Sequence, residues 1–187
     1  TKITKKIFLL LFTVLIPFNF LAAKSLKNDA GNFLGNREAP NVLVEYASLS
    51  CVHCANFHNK QLPTIKKQLI DTGKLKYVYK DYPLDLPAML AAMLSHCFKN
   101  DQYFEILNSL FRNQKKWVVA SNNKIELYEK FYQILKQHGI TLEKIKSCTA
   151  ESDSNKLKWE SILASRLEGQ NLGVKSTPSF FLNGKKL

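Results

Sequence analysis

The chain has 187 residues, 45% of them hydrophobic, with 27 Lys and Arg against 15 Asp and Glu for a net charge of +12. That length holds one well-cored domain with room for an inserted subdomain. The lysines are scattered along helical stretches, with no arginine cluster, stacking motif or recognition-helix signature. A nucleic-acid-binding function is excluded on those grounds, leaving only a weak electrostatic bias towards acidic partners or anionic surfaces.

The N-terminus reads as a cleaved export signal over residues 1–23. Lys2, Lys5 and Lys6 form a basic start, and Ile7 to Ile16 are apolar apart from Thr13. Pro17 and Asn19 break the run, and Leu21-Ala22-Ala23 offers a small-residue cleavage site. A membrane anchor fits less well, because the interrupted stretch from Ile7 to Ala23 makes a poor spanning helix. No cysteine follows that could carry a lipid. Cleavage removes three lysines and no acids, so a net charge of +9 remains.

Residues 24–40 read as a loop with a short strand near Phe33-Leu34, and Asn41 to Ala47 as a buried strand. Ser48-Leu49-Ser50 then leads into Cys51-Val52-His53-Cys54. The helix expected from Phe57 to Ile70 carries Leu62, Ile65 and Leu69 on one face, a kink at Pro63, and a C-terminal cap at Gly73. Lys74 to Lys80 alternates as a strand. Strand, helix and strand over this length form a βαβ unit, whose two strands run parallel.

From Pro87 to about Leu172 the periodicity is helical only. Tyr103, Phe104, Leu107, Leu110 and Phe111 share one face, as do Tyr128, Phe131, Tyr132 and Leu135. Gly139 stops that helix, and Thr141 caps the next, Leu142 to Cys148. Trp159, Ile162, Leu163 and Leu167 make a last apolar stripe, and all these aromatics read as core. Strand character returns at Pro178 to Leu182, before the turn pair Asn183-Gly184. A hairpin there lacks a second strand before Leu187. With Thr1 in place of a starting Met, both ends read as incomplete.

The C-x-x-C decides the chemistry. A strand that feeds two cysteines into a helix places the first thiol at the helix N-terminus, where unpaired N–H groups and the macrodipole favour its thiolate. The second can resolve a mixed disulfide. Half of a zinc site is the other possibility, but the chain has no second C-x-x-C and no H-x-x-x-H to complete it. Four cysteines in an exported protein fit one active pair plus one structural pair, Cys97 and Cys148, rather than two free thiols in the core. Glu45 lies inside an apolar strand, six positions before Cys51. It is either a buried relay acid beneath Cys54, with Lys80 as a possible partner, or an acid at a strand edge reaching water.

Ser50-Cys51-Val52-His53-Cys54, Phe57-His58, Asp81-Tyr82-Pro83-Leu84 and Thr177-Pro178-Ser179-Phe180-Phe181-Leu182-Asn183-Gly184 together resemble the DsbA-like thiol:disulfide oxidoreductases, a branch of the thioredoxin superfamily. The resemblance runs from about Phe33 to Leu187. It implies an α/β thioredoxin-like fold: a first part over 24–86, an all-helical insertion over 87–172 and a second part over 173–187. It further implies a periplasmic monomer that needs no cofactor or metal, oxidises thiols of exported proteins and is reoxidised by a quinone-linked membrane partner. Cys51 would be the exposed thiolate, stabilised by the helix N-terminus and His53, and Cys54 the buried resolving thiol. Pro178 matches the family's cis-proline, which would present the Thr177 backbone to an extended substrate strand. Val52 departs from the pattern, since the type member has proline there. A disulfide isomerase or reductase is the second enzymatic possibility. Known isomerases of this kind add an N-terminal dimerisation domain, and only about 18 residues lie between the expected cleavage site and the first strand, which speaks weakly against that reading. A peptide- or metal-binding protein using the same groove is the non-enzymatic one.

Overall fold

The computed structural model describes residues 32–99, 101–118 and 123–187, so the export signal expected over residues 1–23 lies outside it. A five-stranded mixed sheet has the order β1-β3-β2-β4-β5, with β1 at Phe33–Leu34, β2 at Asn41–Ala47, β3 at Leu75–Asp81, β4 at Ser179–Leu182 and β5 at Lys185–Lys186. β2 and β3 are parallel, as a strand–helix–strand unit requires, and the other pairs are antiparallel.

Both central strands are buried almost throughout, because each face of the sheet is covered. Period-two geometry sorts their side chains. Leu43, Ala47, Leu75, Tyr77 and Tyr79 join the large core beneath the helices, while Val42, Val44, Tyr46 and Val78 join a smaller one with Tyr82, Val174 and Phe181. Glu45 is in phase with Leu43 and Ala47, so its carboxyl points into the larger core.

Helix α1 runs from residue 52 to 70, starting earlier than the apolar periodicity indicated. Two of its turns, Phe57–Gln61 and Lys66–Ile70, are π-helical. Pro63 has no N–H to give the preceding turn, and widened turns accommodate the lost bond. Each widened turn shifts the inward face. Leu62 and Ile70 are buried, whereas Leu69, expected to face inward, is exposed. Gly73 ends the helix at φ +73°, and Lys74 N–H donates to the Leu69 carbonyl at 2.9 Å.

The helices between β3 and β4 are α2 (Leu86–Ser95), α3 (Asp101–Arg112), α4 (Gln114–Trp117), α5 (Lys124–Leu135), α6 (Leu142–Thr149) and α7 (Asp153–Asn171). Side chains of Asp85, Asn123, Thr141 and Ser152 cap α2, α5, α6 and α7. On α3 the expected face is buried in full. The stripe on α7 is not: Ile162 is buried, but Leu163 and Leu167 are 42% and 56% exposed. The buried line of α7 runs through Asn155, Ile162 and Gly169, about 100° round the helix from Leu163. Gly169 permits the close approach, since a Cβ there would lie 2.9 Å from the Tyr46 ring.

The C-terminal hairpin closes within residue 187, contrary to expectation. Asn183 and Gly184 take φ of 51° and 84°, the left-handed pair of a two-residue turn, and β5 pairs back onto β4. Asn183 also brackets β2: its side-chain oxygen accepts from Val42 N–H at 2.9 Å, and its own N–H donates to the Val42 carbonyl at 2.9 Å.

Cys97 and Cys148 are disulfide-bonded, with Cα atoms 5.9 Å apart across 51 residues of chain. The bond ties the end of α2 to α6. By chain entropy alone, closing a loop of that length is worth about 4 kcal/mol. The Cys97→Ala/Cys148→Ala double variant should therefore lose about 2–4 kcal/mol of unfolding free energy in a denaturant titration of the oxidised protein. A loss below 1 kcal/mol would show that α2 and α6 hold together through packing alone.

Candidate active site

Cys51 is the N-cap of α1 and Cys54 lies one turn in, so the two sulfurs meet different surroundings. Cys51 is half-buried and Cys54 is fully buried; both are free thiols. The Cys51 sulfur lies 3.3 Å from the Thr177 carbonyl, to which it donates when protonated. Its pKa is held down to about 5. The largest cause is the hydrogen bond from the Cys54 thiol, which outweighs burial. The Thr177 side chain and the backbone N–H groups of Cys54 and His53 add to it. His53 acts on Cys51 through its backbone, and its imidazole is exposed. Cys54 is pushed far up instead, by its hydrogen bond to Cys51, by burial and by the nearby Glu45 charge. One thiol is thus an anion at neutral pH and its neighbour a firmly held neutral donor.

The loop before α1 is fixed from several sides. Cys51 N–H donates to the Ser48 carbonyl at 3.0 Å, and Ser48 Oγ accepts from Leu84 N–H at 3.3 Å. Gln114 of α4 donates through Nε2 to the carbonyls of Leu49 and Cys51, at 2.7 and 2.9 Å. The Thr177–Pro178 peptide is cis and sits against the Cys51 sulfur. Phe180 packs on Phe57 with ring centroids 4.7 Å apart.

Glu45 is 0% exposed, which removes the strand-edge alternative. Lys80 is not its partner; that amine reaches Glu168 at 3.1 Å. Glu45 Oε2 instead meets His58 Nε2 at 3.0 Å and accepts from the Tyr77 hydroxyl. Its Oε1 has no hydrogen-bond partner among the described residues. The Tyr77 hydroxyl is held protonated, first by burial and then by the Glu45 charge. Sequence reasoning noted His58 only as a neighbour of the motif and missed Tyr77 and Gln114. A signal for the first two existed: His58 is four residues after Cys54 on α1, and Tyr77 is in phase with Glu45 across the β2–β3 ladder. Gln114 carried none. Among the described residues no three His, Cys, Asp or Glu side chains are placed to hold a metal ion.

A family model described as Thioredoxin matches residues 27–187. A putative protein-disulfide oxidoreductase of Rickettsia prowazekii is 34% identical over 164 residues, covering 84% of this chain and 56% of that protein. A probable disulfide bond formation protein D of Bacillus anthracis is 26% identical over 180 residues, covering 84% and 76%. The crystal structure of Wolbachia pipientis alpha-DsbA1 superposes with a TM-score of 0.75 at 31% identity, covering 86% of this chain and 79% of that one. The chain spans little more than half the length of the curated Rickettsia relatives it matches.

The sulfur asymmetry gives a pH signature. Thiolate absorbance of the reduced protein should titrate with a midpoint near 5, and alkylation at mildly acidic pH should trap Cys51 and spare Cys54. In the unfolded chain a cysteine titrates at about 8.5. Stability of the reduced form should therefore climb from about pH 5 to about 8.5, and be lost as pH falls through 5. Above about 8.5 it should fall again, because Cys54 is held protonated only in the folded state. Thermal unfolding of reduced against oxidised protein reads this, since the oxidised form lacks both terms. Equal trapping of the two thiols would contradict the assignment.

Proposed function

The chain belongs to the thioredoxin family and, within it, to the DsbA-like oxidoreductases, and from that premise we propose that it passes a Cys51–Cys54 disulfide to thiols of exported proteins. The observation that carries this is the opposed state of the two sulfurs. A thiolate at Cys51 beside a neutral Cys54 stabilises the reduced dithiol, so the disulfide is readily given away.

A client thiolate attacks Cys51 Sγ, the Cys51–Cys54 bond breaks, and Cys54 leaves as a thiolate that takes up a proton. The client's second thiolate then attacks its own sulfur in the mixed disulfide. A client disulfide forms, and Cys51 leaves as the stabilised thiolate. Two electrons pass from client to protein. In this scheme Cys51 is the attacked and finally leaving sulfur, Cys54 the first leaving group and, in the reverse direction, the resolving thiol, and Glu45 the buried acid serving Cys54. Thr177 and Pro178 form the ledge on which an extended client lies, recognised through main chain. Val52, 59% exposed beside Cys51, adds apolar contact.

The division into a C-x-x-C unit (24–86), a helical insertion (87–172) and a closing segment (173–187) belongs to the same proposal. So does a periplasmic location, resting on the signal expected over residues 1–23. A DsbB-like, quinone-linked membrane protein would then restore the disulfide.

Oxidised protein mixed with a reduced dithiol peptide should oxidise it one for one, and Cys51→Ser should abolish the transfer. Equilibration with glutathione should place the couple well to the oxidising side of thioredoxin, about −270 mV. A couple at or below that value would favour a reductase. Tight zinc binding without peptide oxidation would favour the non-enzymatic alternative. Glu45→Gln should slow the Cys54-dependent step about tenfold or more and leave the Cys51 titration in place. An unchanged rate across pH would reduce Glu45 to a structural residue.

A further inference from the structure

We propose that His58 is the proton-transfer partner of Glu45, carrying the Cys54 proton between that buried carboxyl and the cleft between α1 and α3. The proposal rests on Cys51 and Cys54 being the exchanging pair.

His58 is placed as a bridge. Its side chain and that of Glu45 are 1% and 0% exposed, with Nε2 at 3.0 Å from Oε2. On its other side, Nδ1 faces Asn108 Oδ1 at 3.4 Å. The two tautomers divide these contacts: in one, Nδ1–H donates to the Asn108 amide oxygen and Nε2 offers its lone pair to a protonated Glu45, and in the other Nε2–H donates to the Glu45 carboxylate. The ring is clamped: it stacks on Phe111 at 4.0 Å and 24°, with Phe57 and Tyr79 edge-on at 5.7 Å. His58 and Asn108 both line a cleft of about 770 Å³ that opens to solvent. One imidazole nitrogen thus addresses the sealed acid and the other the wet side. A proton can be accepted on the first and released from the second without movement of the ring.

Other groups around the ring are less suited to the task. The Tyr77 hydroxyl lies 3.3 Å from Nε2, but it is held protonated and already donates to Glu45 Oε2. It anchors the carboxyl and does not carry the proton. Lys66, Asp101, Glu105 and Arg112 line the cleft beyond Asn108. Lys66 is paired with Asp71, and Glu105 with His138. Glu45 Oε1, with no hydrogen-bond partner among the described residues, remains to exchange a proton with Cys54.

The step is clearest during reoxidation by a disulfide R–S–S–R′. The Cys51 thiolate attacks, R′S⁻ leaves, and a Cys51–S–S–R bond forms. Cys54 gives its proton to Glu45 and attacks Cys51 Sγ; the internal disulfide forms and RS⁻ leaves. Glu45 passes the proton to His58 Nε2, and the Nδ1 proton departs past Asn108 to solvent, where one of the two released thiolates takes it up. Two electrons go from the dithiol to the disulfide. Client oxidation runs the same route backwards, delivering a proton to the leaving Cys54.

The test is stopped-flow reoxidation of reduced protein by a small disulfide across pH. His58→Gln, which keeps a hydrogen-bonding side chain, should slow closure of the mixed disulfide on the order of 10-fold or more and change its pH profile. The Cys51 titration should not move. His58→Ala opens a ring-sized gap onto the cleft, so added free imidazole should restore the rate in proportion to its concentration. Wild-type rates and pH profile in His58→Gln, or no response of His58→Ala to imidazole, would overturn the relay while leaving the oxidoreductase function in place. Failure of the unsubstituted protein to exchange disulfides at all would remove that function, and the relay with it.

Discussion

The interior of this protein is organised around one buried carboxyl. Glu45 sits on a central strand with apolar side chains before and after it in phase, and a carboxylate there is costly without partners. Its partners come from three directions: Tyr77 from β3, His58 from α1, and Asn108 of α3 behind His58. Strand register, the entry of α1 and the docking of α3 must all be correct together for that carboxyl to be satisfied. A sheet that slipped by one residue would turn Glu45 and Tyr77 to the opposite face and leave His58 without its acid. The polar cluster therefore constrains the same elements that place Cys54 above it.

The helical segment between β3 and β4 completes the site as well as covering it. Gln114 holds the carbonyls of Leu49 and Cys51, fixing the loop from which the first sulfur projects. Phe111 and Asn108 fix the His58 ring from the same side. Further away, the Cys97–Cys148 bond joins α2 to α6, and Lys158 of α7 donates to Cys97 Sγ at 3.1 Å and to the Cys148 carbonyl at 3.3 Å. Asp81, at the end of β3, holds His96 at 2.6 Å, next to Cys97 in the chain. The disulfide is thus anchored to the sheet as well as to the helices.

Much of this was legible in the sequence where a local rule coincides with the tertiary demand. A C-x-x-C after an apolar strand, Gly73 and Gly139 at helix ends, Thr141 before a helix and Asn-Gly in a tight turn each need only their neighbours to be understood. The two failures on helices share one cause, which is that helical periodicity assumes a regular helix with one uniform buried side. In α1 two π turns displace Leu69 from the face that 3.6-residue counting assigns it. In α7 the buried line follows Asn155, Ile162 and the small Gly169 rather than the leucines, because close approach to Tyr46 requires a missing side chain there. Lys80 was paired with the wrong acid because Glu168 comes from 88 residues away, a distance no local pattern spans.

Val52 is the point at which this chain departs from the family pattern, and the geometry shows what the change leaves intact. The N-cap position lets Cys51 Sγ face the second and third N–H groups of the helix, those of His53 and Cys54, and these are the backbone donors that favour its thiolate. Val52 is the first helical residue, where proline is tolerated because the N–H of that position has no helical partner. Exchanging proline for valine at residue 52 therefore leaves both donors in place. The dominant cause of the low Cys51 pKa, the Cys54 thiol, is set by the pitch of the helix and is likewise untouched. What valine alters is the surface beside the sulfur, where a branched side chain stands largely in solvent. The electrostatics of the thiolate and the shape presented to a partner are thus governed by different atoms of the same four-residue turn.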